Sequence, residues 1–220
     1  KKAVISNKLI PVLCGSSLKN TGIQLLLNAV VDYLPSPLEV KPIIARLKSD
    51  QSEVKVFPDD DAPFSALAFK VRIDKYVGKM IYIRVYSGTI KKGDVVIDQT
   101  NGKRQRILRI MHVFSNKTTD IEQISSGEIA AIIGPKEVFT GDTLTSADND
   151  LLLSKIYFPD GVISRAIEAK SKADQEALET ALQKMEEEDP TFRILKDKET
   201  GQTLMTGMGE LHLDIIIDRL

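Results

Sequence analysis

The residues best suited to metal chemistry lie near the end of the sequence, in the Glu-Leu-His-Leu-Asp run at 210–214. Two carboxylates and an imidazole at a spacing of two residues could bind one cation if the run is a strand, because alternate side chains of a strand share a face. In a helix, side chains two residues apart point about 160–200° away from each other. The secondary structure of this run therefore decides whether the site is possible.

The apolar pattern of the same run predicts a helix. Apolar residues occupy the i, i+3, i+4 and i+7 positions of one helical face: Leu213, Ile216, Ile217 and Leu220. On such a helix His212 points away from Glu210 and Asp214, so the three side chains cannot bind one ion. We therefore predict no metal site, and His112, the other histidine, lies in no ligand motif.

The predicted helix has a second apolar side, formed by Leu211 and Ile215 opposite the first. A helix that is apolar on two sides usually contacts two neighbours. The second neighbour is either another domain or partner, or more of the same fold, and the sequence leaves both alternatives open. Solvent exposure of Leu211 and Ile215 would favour the partner.

The composition, with 42% hydrophobic and 28% charged residues among 220, is typical of globular proteins. No apolar run is long enough for a membrane span, and the N-terminal residues do not resemble a signal peptide. Cys14 is the only cysteine, which excludes an internal disulfide and fits a reducing cytosol. Its apolar neighbours predict a buried strand and an unreactive thiol.

The net charge of −1 conceals two modules of opposite sign. Between Lys70 and Lys117, twelve Lys and Arg residues stand against three acids, and between residues 172 and 189 seven acids stand against two lysines. A local positive excess of this size favours a polyanionic partner such as nucleic acid. The alternative is an ordinary lysine-rich solvated surface, which edge strands often carry.

The first 61 residues contain two predicted segments. In residues 1–37 an apolar run at Leu9–Gly15 predicts a strand, and a 3.6-residue period from Ile23 to Leu34 predicts a helix. This single strand and helix are too little for a domain, so we expect them to be the end of a larger one. Residues 38–61 are rich in proline and acid, without helical period, and are predicted to be a linker.

The rest of the chain predicts two further domains. In residues 62–147 the apolar period changes to two, through Leu67, Phe69, Val71 and Ile73 in one predicted strand and through Ile81, Ile83 and Val85 in the next. Turn signals such as Asn101-Gly102 recur at short intervals, so we predict a small all-β barrel. In residues 148–220 the patterns follow the order β-α-β-β-α, one strand short of a ferredoxin-like domain.

Four stretches resemble consecutive parts of bacterial-type translation elongation factor G. They are PVLCGSSLKNTGIQLLLNAVVDYLPSP, ALAFKVRIDKYVGKMIYIRVYSGTIKKGDVV, KADQEALETALQKMEEEDPTFRI and TGQTLMTGMGELHLDIIIDRL. The resemblance implies a multidomain fold: the terminal strand and helix of an α/β GTPase sheet, then an all-β translation-factor barrel, then a truncated α+β ferredoxin-like domain.

The resemblance also implies a guanine-binding turn at Ser16, Ser17 and Leu18, where the family usually has Ser-Ala-Leu or Ser-Ala-Lys. By itself a Gly-Ser-Ser turn is more often a plain helix entry. The chain contains no G-x-x-x-x-G-K-[ST] motif to cradle phosphates and place Mg²⁺. We therefore expect GTP and Mg²⁺ to bind the full-length protein, a GTPase, and this chain alone to bind neither and to be inactive.

By the same resemblance, this chain would serve ribosome docking and interdomain coupling in a factor that moves tRNA and mRNA. The residues expected to dock on small-subunit ribosomal RNA are Arg84, Lys91, Lys92, Lys103, Arg104, Arg106 and Arg109. Their phosphate contacts would be independent of sequence and sensitive to salt. Aromatic residues are sparse, which favours reading of the RNA backbone rather than of bases. The residues expected to contact a neighbouring domain or the ribosome are Leu211, His212 and Ile215.

Several alternatives stay open at this point. Gly161 and Arg165 stand where the family more often has proline and an apolar residue, which allows a divergent bacterial or an organellar form. The expected location is the cytoplasm, or else the matrix of a mitochondrion or plastid. A related GTPase of ribosome protection, recycling or back-translocation would share the same domains. A stand-alone RNA-binding barrel is a further alternative. We expect a monomer whose partners are ribosomal RNA and ribosomal proteins, with the tRNA–mRNA complex an indirect partner and no membrane involved.

Overall fold

The computed structural model describes residues 1–115, 117–169, 171, 173–198 and 200–220. It divides into two compact units, Lys1–Ile43 and Ile44–Leu220. Among the described residues, no helix is both long and apolar enough to cross a membrane.

The first unit, whose 43 residues are all described, contains helices α1 (Lys2–Ile5) and α2 (Ile23–Tyr33). Helix α2 confirms the predicted period and ends just before Pro35, which has no N–H to continue it. Its apolar residues, such as Leu26 and Val30, are exposed within this unit.

The strand predicted at residues 9–15 is wrong. These residues have no regular structure, and Cys14 is exposed rather than buried. A strand must satisfy its backbone N–H and C=O groups on a neighbouring strand. Within residues 1–43 the only ladder contact nearby is an isolated bridge between Ser16 and Thr21.

The second unit is mostly β. Its strands up to the end of the barrel are β1 (Ile43–Leu47), β2 (Glu53–Val56), β3 (Ser65–Asp74), β4 (Gly78–Ser87), β5 (Ile90–Lys91), β6 (Val95–Asp98), β7 (Lys103–Arg106), β8 (Arg109–Phe114), β9 (Lys117–Ile121), β10 (Gln123–Ile124), β11 (Ile129–Ile133) and β12 (Thr143–Thr145). The following elements are β13 (Leu151–Leu152), β14 (Ile163–Ile167), α3 (Gln175–Glu188), β15 (Arg193–Lys196), β16 (Thr203–Gly207) and α4 (Glu210–Arg219).

Residues 38–61 contain more regular structure than a linker. A 3₁₀ turn at Pro37–Glu39 is followed by β1 and β2, and β1 pairs antiparallel with β13. The chain on either side of the barrel is therefore joined in one small sheet of order β13-β1-β2.

The barrel is closed by one bent segment. In the described residues a sheet runs in the order β7-β6-β12-β3-β4-β11-β8-β9, and β7 and β8 are consecutive parts of the chain. At the bend the N–H of Ile107 donates to Asp94 on one side, and the N–H of Leu108 donates to Ile133 on the other. Gly134 has a φ of 124°, and a Cβ there would overlap the Arg106 carbonyl, so glycine permits the close approach.

The barrel interior confirms the alternation predicted for β4, because Ile81, Ile83 and Val85 are fully buried. The alternation predicted for β3 is partly wrong. The ladder shifts register between Ala68 and Lys70, so Phe69 is a bulge. One extra residue reverses the inward face, and Ala66 and Ala68, rather than Leu67 and Phe69, join the core.

The remaining elements confirm the predicted β-α-β-β-α order. The antiparallel sheet has the order β14-β16-β15, and the helices α3 and α4 pack on it. Its core is built from Leu182, Met185, Phe192, Met205, Leu213 and Ile216. Leu213 and Ile216 belong to the apolar stripe predicted for α4, whose other two members, Ile217 and Leu220, are exposed.

Candidate nucleic-acid interface

The side chains at the start of α4 are directed to different partners. His212 Nδ1 accepts the N–H of Met208 at 3.1 Å, so the ring proton lies on Nε2, which donates to Asp189 Oδ2 at 3.0 Å. Asp214 instead forms an ion pair with Arg165 at 2.7 Å. The described residues include no cluster of three or more His, Cys, Asp and Glu side chains that could hold a metal ion.

Asp189 is half-buried at the end of α3. Burial acts to raise the pKa of Asp189, but hydrogen bonds from the side chain and N–H of Thr191, together with the adjacent His212, outweigh it. The pKa of Asp189 therefore lies below its ordinary value, and the carboxylate is held ionised beside the His212 ring.

Two other acids at the end of α3 connect the α+β domain to the barrel. Glu187 forms an ion pair with Lys79 of β4 at 2.7 Å, and Glu188 accepts the backbone N–H of Ile73 in β3 at 2.6 Å. The second oxygen of Glu188 accepts from Arg219 of α4 at 2.6 Å. Carboxylates at a helix C-terminus face the negative end of the helix dipole, so these donors offset an unfavourable position.

The second apolar side of α4 is open to solvent. Leu211 is 73% exposed and Ile215 is 51% exposed. This is the outcome that favours a partner over burial within one fold. Both ring nitrogens of His212, by contrast, are already hydrogen-bonded, one to the N–H of Met208 and the other to Asp189. A contact of these three residues with a domain or with the ribosome stays a prediction.

The basic residues predicted to dock RNA differ in whether an acidic side chain already pairs with them. Three have acidic neighbours: Lys103 pairs with Glu137 at 2.5 Å, Arg109 donates twice to Asp120 at 2.9 and 3.1 Å, and Lys92 lies 4.0 Å from Glu122. These pairs are exposed, and such pairs contribute little to stability. They do reduce the positive charge that is available to a partner.

Of the basic residues predicted to dock RNA, Arg104 and Arg106 are the most available to a partner. Both are exposed on the outer face of β7, and Gln105 between them is buried. Among the described residues neither side chain has an ion pair or hydrogen bond. Lys91 is also exposed, and its side chain is unpaired within the described part of the chain. It is the last residue of β5, just before the turn that leads to β6, the neighbour of β7.

Arg84 lies away from the two arginines of β7. It is on β4, which β3, β12 and β6 separate from β7. Its guanidinium stands over the Tyr86 ring at 5.6 Å, and its Nε is buried with no partner in the described residues. The predicted docking residues therefore do not form one continuous surface, and Arg104, Arg106 and Lys91 are the subset that the fold leaves available.

The predicted guanine-binding turn belongs to the first unit and forms a tight helix entry. Ser16 and Thr21 exchange two backbone hydrogen bonds at 2.9 and 3.0 Å, and Ser16 Oγ accepts the N–H of Lys19 at 3.3 Å. In the described structure the N–H groups of Ser17 and Leu18 donate to no protein acceptor. They are available to a carbonyl oxygen, and guanine binding here stays a prediction.

A closed all-β barrel followed by a β-α-β-β-α domain defines a class of fold, the central domains of translational GTPases. Residues 63–147 match the family model of elongation factor G domain 2, and residues 158–220 match that of elongation factor G, domain III. The chain belongs to the elongation factor G family, of which it carries these two domains.

One solved structure is similar to this chain over nearly its whole length. The crystal structure of a protein from Thermus thermophilus has a TM-score of 0.75 and 27% sequence identity to this chain. The match covers 99% of this chain and 30% of the other.

Proposed function

We propose that this chain is the part of a ribosomal translocation factor that docks on small-subunit ribosomal RNA and couples its domains. The full-length protein would bind GTP and Mg²⁺, hydrolyse GTP, and move tRNA and mRNA in the cytoplasm or an organelle matrix. Membership of the elongation factor G family supports the part of this proposal that makes the protein a translational GTPase. The role proposed for these 220 residues is binding and mechanical coupling.

The observation that carries the docking proposal is the pair of exposed arginines on β7, whose side chains have no partner in the part of the chain that the structure describes. Arg104 and Arg106 share the outer face of a barrel strand, opposite Ile97 and Val95 of β6. Guanidinium groups held in this way suit contacts to phosphate oxygens. Such contacts release counterions, so the affinity falls steeply as salt is added.

The coupling part of the proposal is supported by the contacts at the end of α3. Helix α4, with its exposed apolar side, is joined through Arg219 and Glu188 to the N–H of Ile73 in the barrel. A force applied to α4 by a partner could therefore be transmitted to the barrel through the Glu188 carboxylate.

The test is binding of the 220-residue chain to isolated small ribosomal subunits at several salt concentrations. The Arg104→Glu/Arg106→Glu variant should bind more weakly and should lower the slope of log affinity against log salt by about two. The matched control is Arg193→Glu/Lys196→Glu, which makes the same charge change on exposed residues of β15. No binding by the unaltered chain at low salt, or equal loss in both variants, would overturn the docking proposal.

A further inference from the structure

The β3–β4 hairpin ends in a tyrosine that is rigidly held and almost fully exposed. Tyr76 is 96% exposed. Its N–H and that of Val77 both donate to Asp74 Oδ1, at 2.8 and 3.0 Å. These two hydrogen bonds lower the pKa of Asp74, which keeps the carboxylate ionised and the turn closed. The backbone under the ring is therefore fixed, although nothing in the described residues covers the ring.

Three basic side chains lie on the strand and turn that lead to this ring. Lys70 and Arg72 share one face of β3, and Lys75 immediately precedes Tyr76. All three are exposed, and none has an ion pair among the described residues. Lys70 lies over the Tyr82 ring at 5.9 Å, and Arg72 is near enough to Asp74 to help lower its pKa. A basic strand therefore leads to an aromatic tip.

Tyr76 also lines a cleft of about 610 Å³ between the hairpin and the end of α3. The cleft is lined by the three basic residues and by Glu188, Asp189 and Arg219. Glu188 is already bound by Ile73 and Arg219, and Asp189 by Thr191 and His212. The groups left for a ligand are the ring and the three cations. The volume lies within the range of small-ligand sites, roughly 300–1,000 Å³.

We propose that this hairpin tip binds an unstacked nucleotide of an RNA strand, with the base stacked on Tyr76 and the adjacent phosphate between Arg72 and Lys75. Aromatic rings stack on any base, so the site would accept many sequences. The inference rests on the proposed function, because docking on RNA supplies the partner. It also revises the expectation that this barrel contacts only the RNA backbone.

A protein partner fits the same features less well. Tyrosine is a frequent anchor in protein interfaces, but such anchors sit in a packed apolar patch that excludes water. Tyr76 stands between Lys75 and Val77 in the turn, and the lining of the cleft is largely charged. An isolated ring among cations suits a nucleotide, which offers a flat base and a phosphate together.

The test compares binding of the chain to a fluorescent single-stranded oligoadenylate with binding to an abasic strand of the same length. Tyr76→Ala should weaken binding of the oligoadenylate roughly five- to hundredfold, and Tyr76→Phe should retain it. The matched control is Tyr157→Ala, because Tyr157 is 86% exposed and lies outside the cleft. The abasic strand should bind the unaltered chain as weakly as the oligoadenylate binds Tyr76→Ala.

Three outcomes would overturn the stacking site: no binding of the oligoadenylate, equal binding of the abasic strand, or no effect of Tyr76→Ala. Suppose that Tyr76→Ala leaves oligoadenylate binding unchanged while Arg104→Glu/Arg106→Glu weakens binding to small ribosomal subunits. That result overturns the stacking proposal and supports the docking proposal. If the unaltered chain does not bind subunits at low salt, docking fails. The two proposals are therefore distinguished by separate variants.

Discussion

The backbone N–H of Ile73, in a barrel strand, donates a 2.6 Å hydrogen bond to the carboxylate of Glu188, at the end of helix α3. The register of β3 with β12 covers only Ser65–Leu67, so Ile73 lies on a stretch with a free edge in the described sheet. The Glu188 carboxylate, from the neighbouring α+β domain, accepts the hydrogen bond of the Ile73 N–H at this free edge. The apolar cores of barrel and α+β domain share no residue, so directional polar contacts join the two domains.

Lys79 is expected to stabilise this junction more than an ordinary surface lysine does. Its Nζ contacts Glu187 at 2.7 Å and the carbonyl of Lys136 at 2.9 Å, and it lies 4.4 Å from the centre of the Phe139 ring. Lys79→Ala should lower the free energy of unfolding by about 1 to 2 kcal/mol, because it removes a half-buried charged hydrogen bond. Urea denaturation measures this change.

The control for Lys79→Ala is Lys103→Ala, which removes an exposed ion pair with Glu137. It should cost less than about 0.5 kcal/mol. Equal costs for the two variants would show that the junction contacts add nothing.

The two apolar sides of α4 should respond differently to truncation. Leu213 is fully buried in the α+β core, so Leu213→Ala should cost about 2 to 5 kcal/mol. Leu211 is largely exposed, so Leu211→Ala should change the free energy of unfolding by no more than about 0.5 kcal/mol. Chemical denaturation of both variants tests the assignment. A large cost for Leu211→Ala would mean that its side is covered within the chain.

Gly207 is required by close packing between β16 and α4. A Cβ at this position would lie 2.8 Å from Leu213 Cδ2 and 2.9 Å from His212 Nδ1. Gly207→Ala should therefore cost about 1 to 3 kcal/mol and displace the His212 ring from Asp189. At Gly209 a Cβ would meet no atom within 4 Å, so Gly209→Ala should cost less than about 1 kcal/mol, as a helix N-cap change. Thermal unfolding with an NMR readout of the His212 ring separates the two.

Asp98 should make the barrel less stable as the pH rises. Burial, and next the nearby Asp142 carboxylate, raise the pKa of Asp98 from its ordinary 3.8 to about 6. The folded state therefore binds a proton that the unfolded state releases. This contribution is fully present below about pH 4 and is lost as the pH rises through about 6.

Asp98→Asn should remove that loss and stabilise the chain at about pH 7 to 8 relative to the unaltered protein. Urea midpoints between about pH 4 and 8 measure the effect as a difference between the two proteins. Asp148→Asn, at an exposed position, is the control and should leave the pH profile unchanged. If the urea midpoint of Asp98→Asn changed with pH in the same way as that of the unaltered protein, the raised pKa of Asp98 would be contradicted.

Local pattern is sufficient to predict the α+β segment and helix α4. The i, i+3, i+4, i+7 stripe through Leu213 and Ile216 gives the buried face, and glycines mark the end of β16. The helical placement of His212 away from Asp214 follows from the same period. What the pattern could not supply is the partner of each side chain, since Asp189 and Arg165 are distant in sequence from the residues that they bind.

Tertiary structure decides the remaining features. The bulge at Phe69 adds one residue to a ladder whose apolar alternation looks regular, so sequence alone misplaces Leu67. The run at residues 9–15 has the composition of a buried strand, but pairing requires a neighbouring strand, which residues 1–43 do not provide. The exposure of Tyr76 is likewise a property of the folded turn, although its place among Lys70, Arg72 and Lys75 is visible in the sequence.

The bent segment of residues 103–114 should make the central strands of the barrel open cooperatively. This segment is hydrogen-bonded to β6 through β7 and to β11 through β8. In the described sheet β4 and β11 are central strands, each paired with a strand on both sides. Deuterium should therefore enter the amides of β4 and β11 together, through concerted opening. Strand β9, attached only to β8 in the described sheet, should take up label long before them.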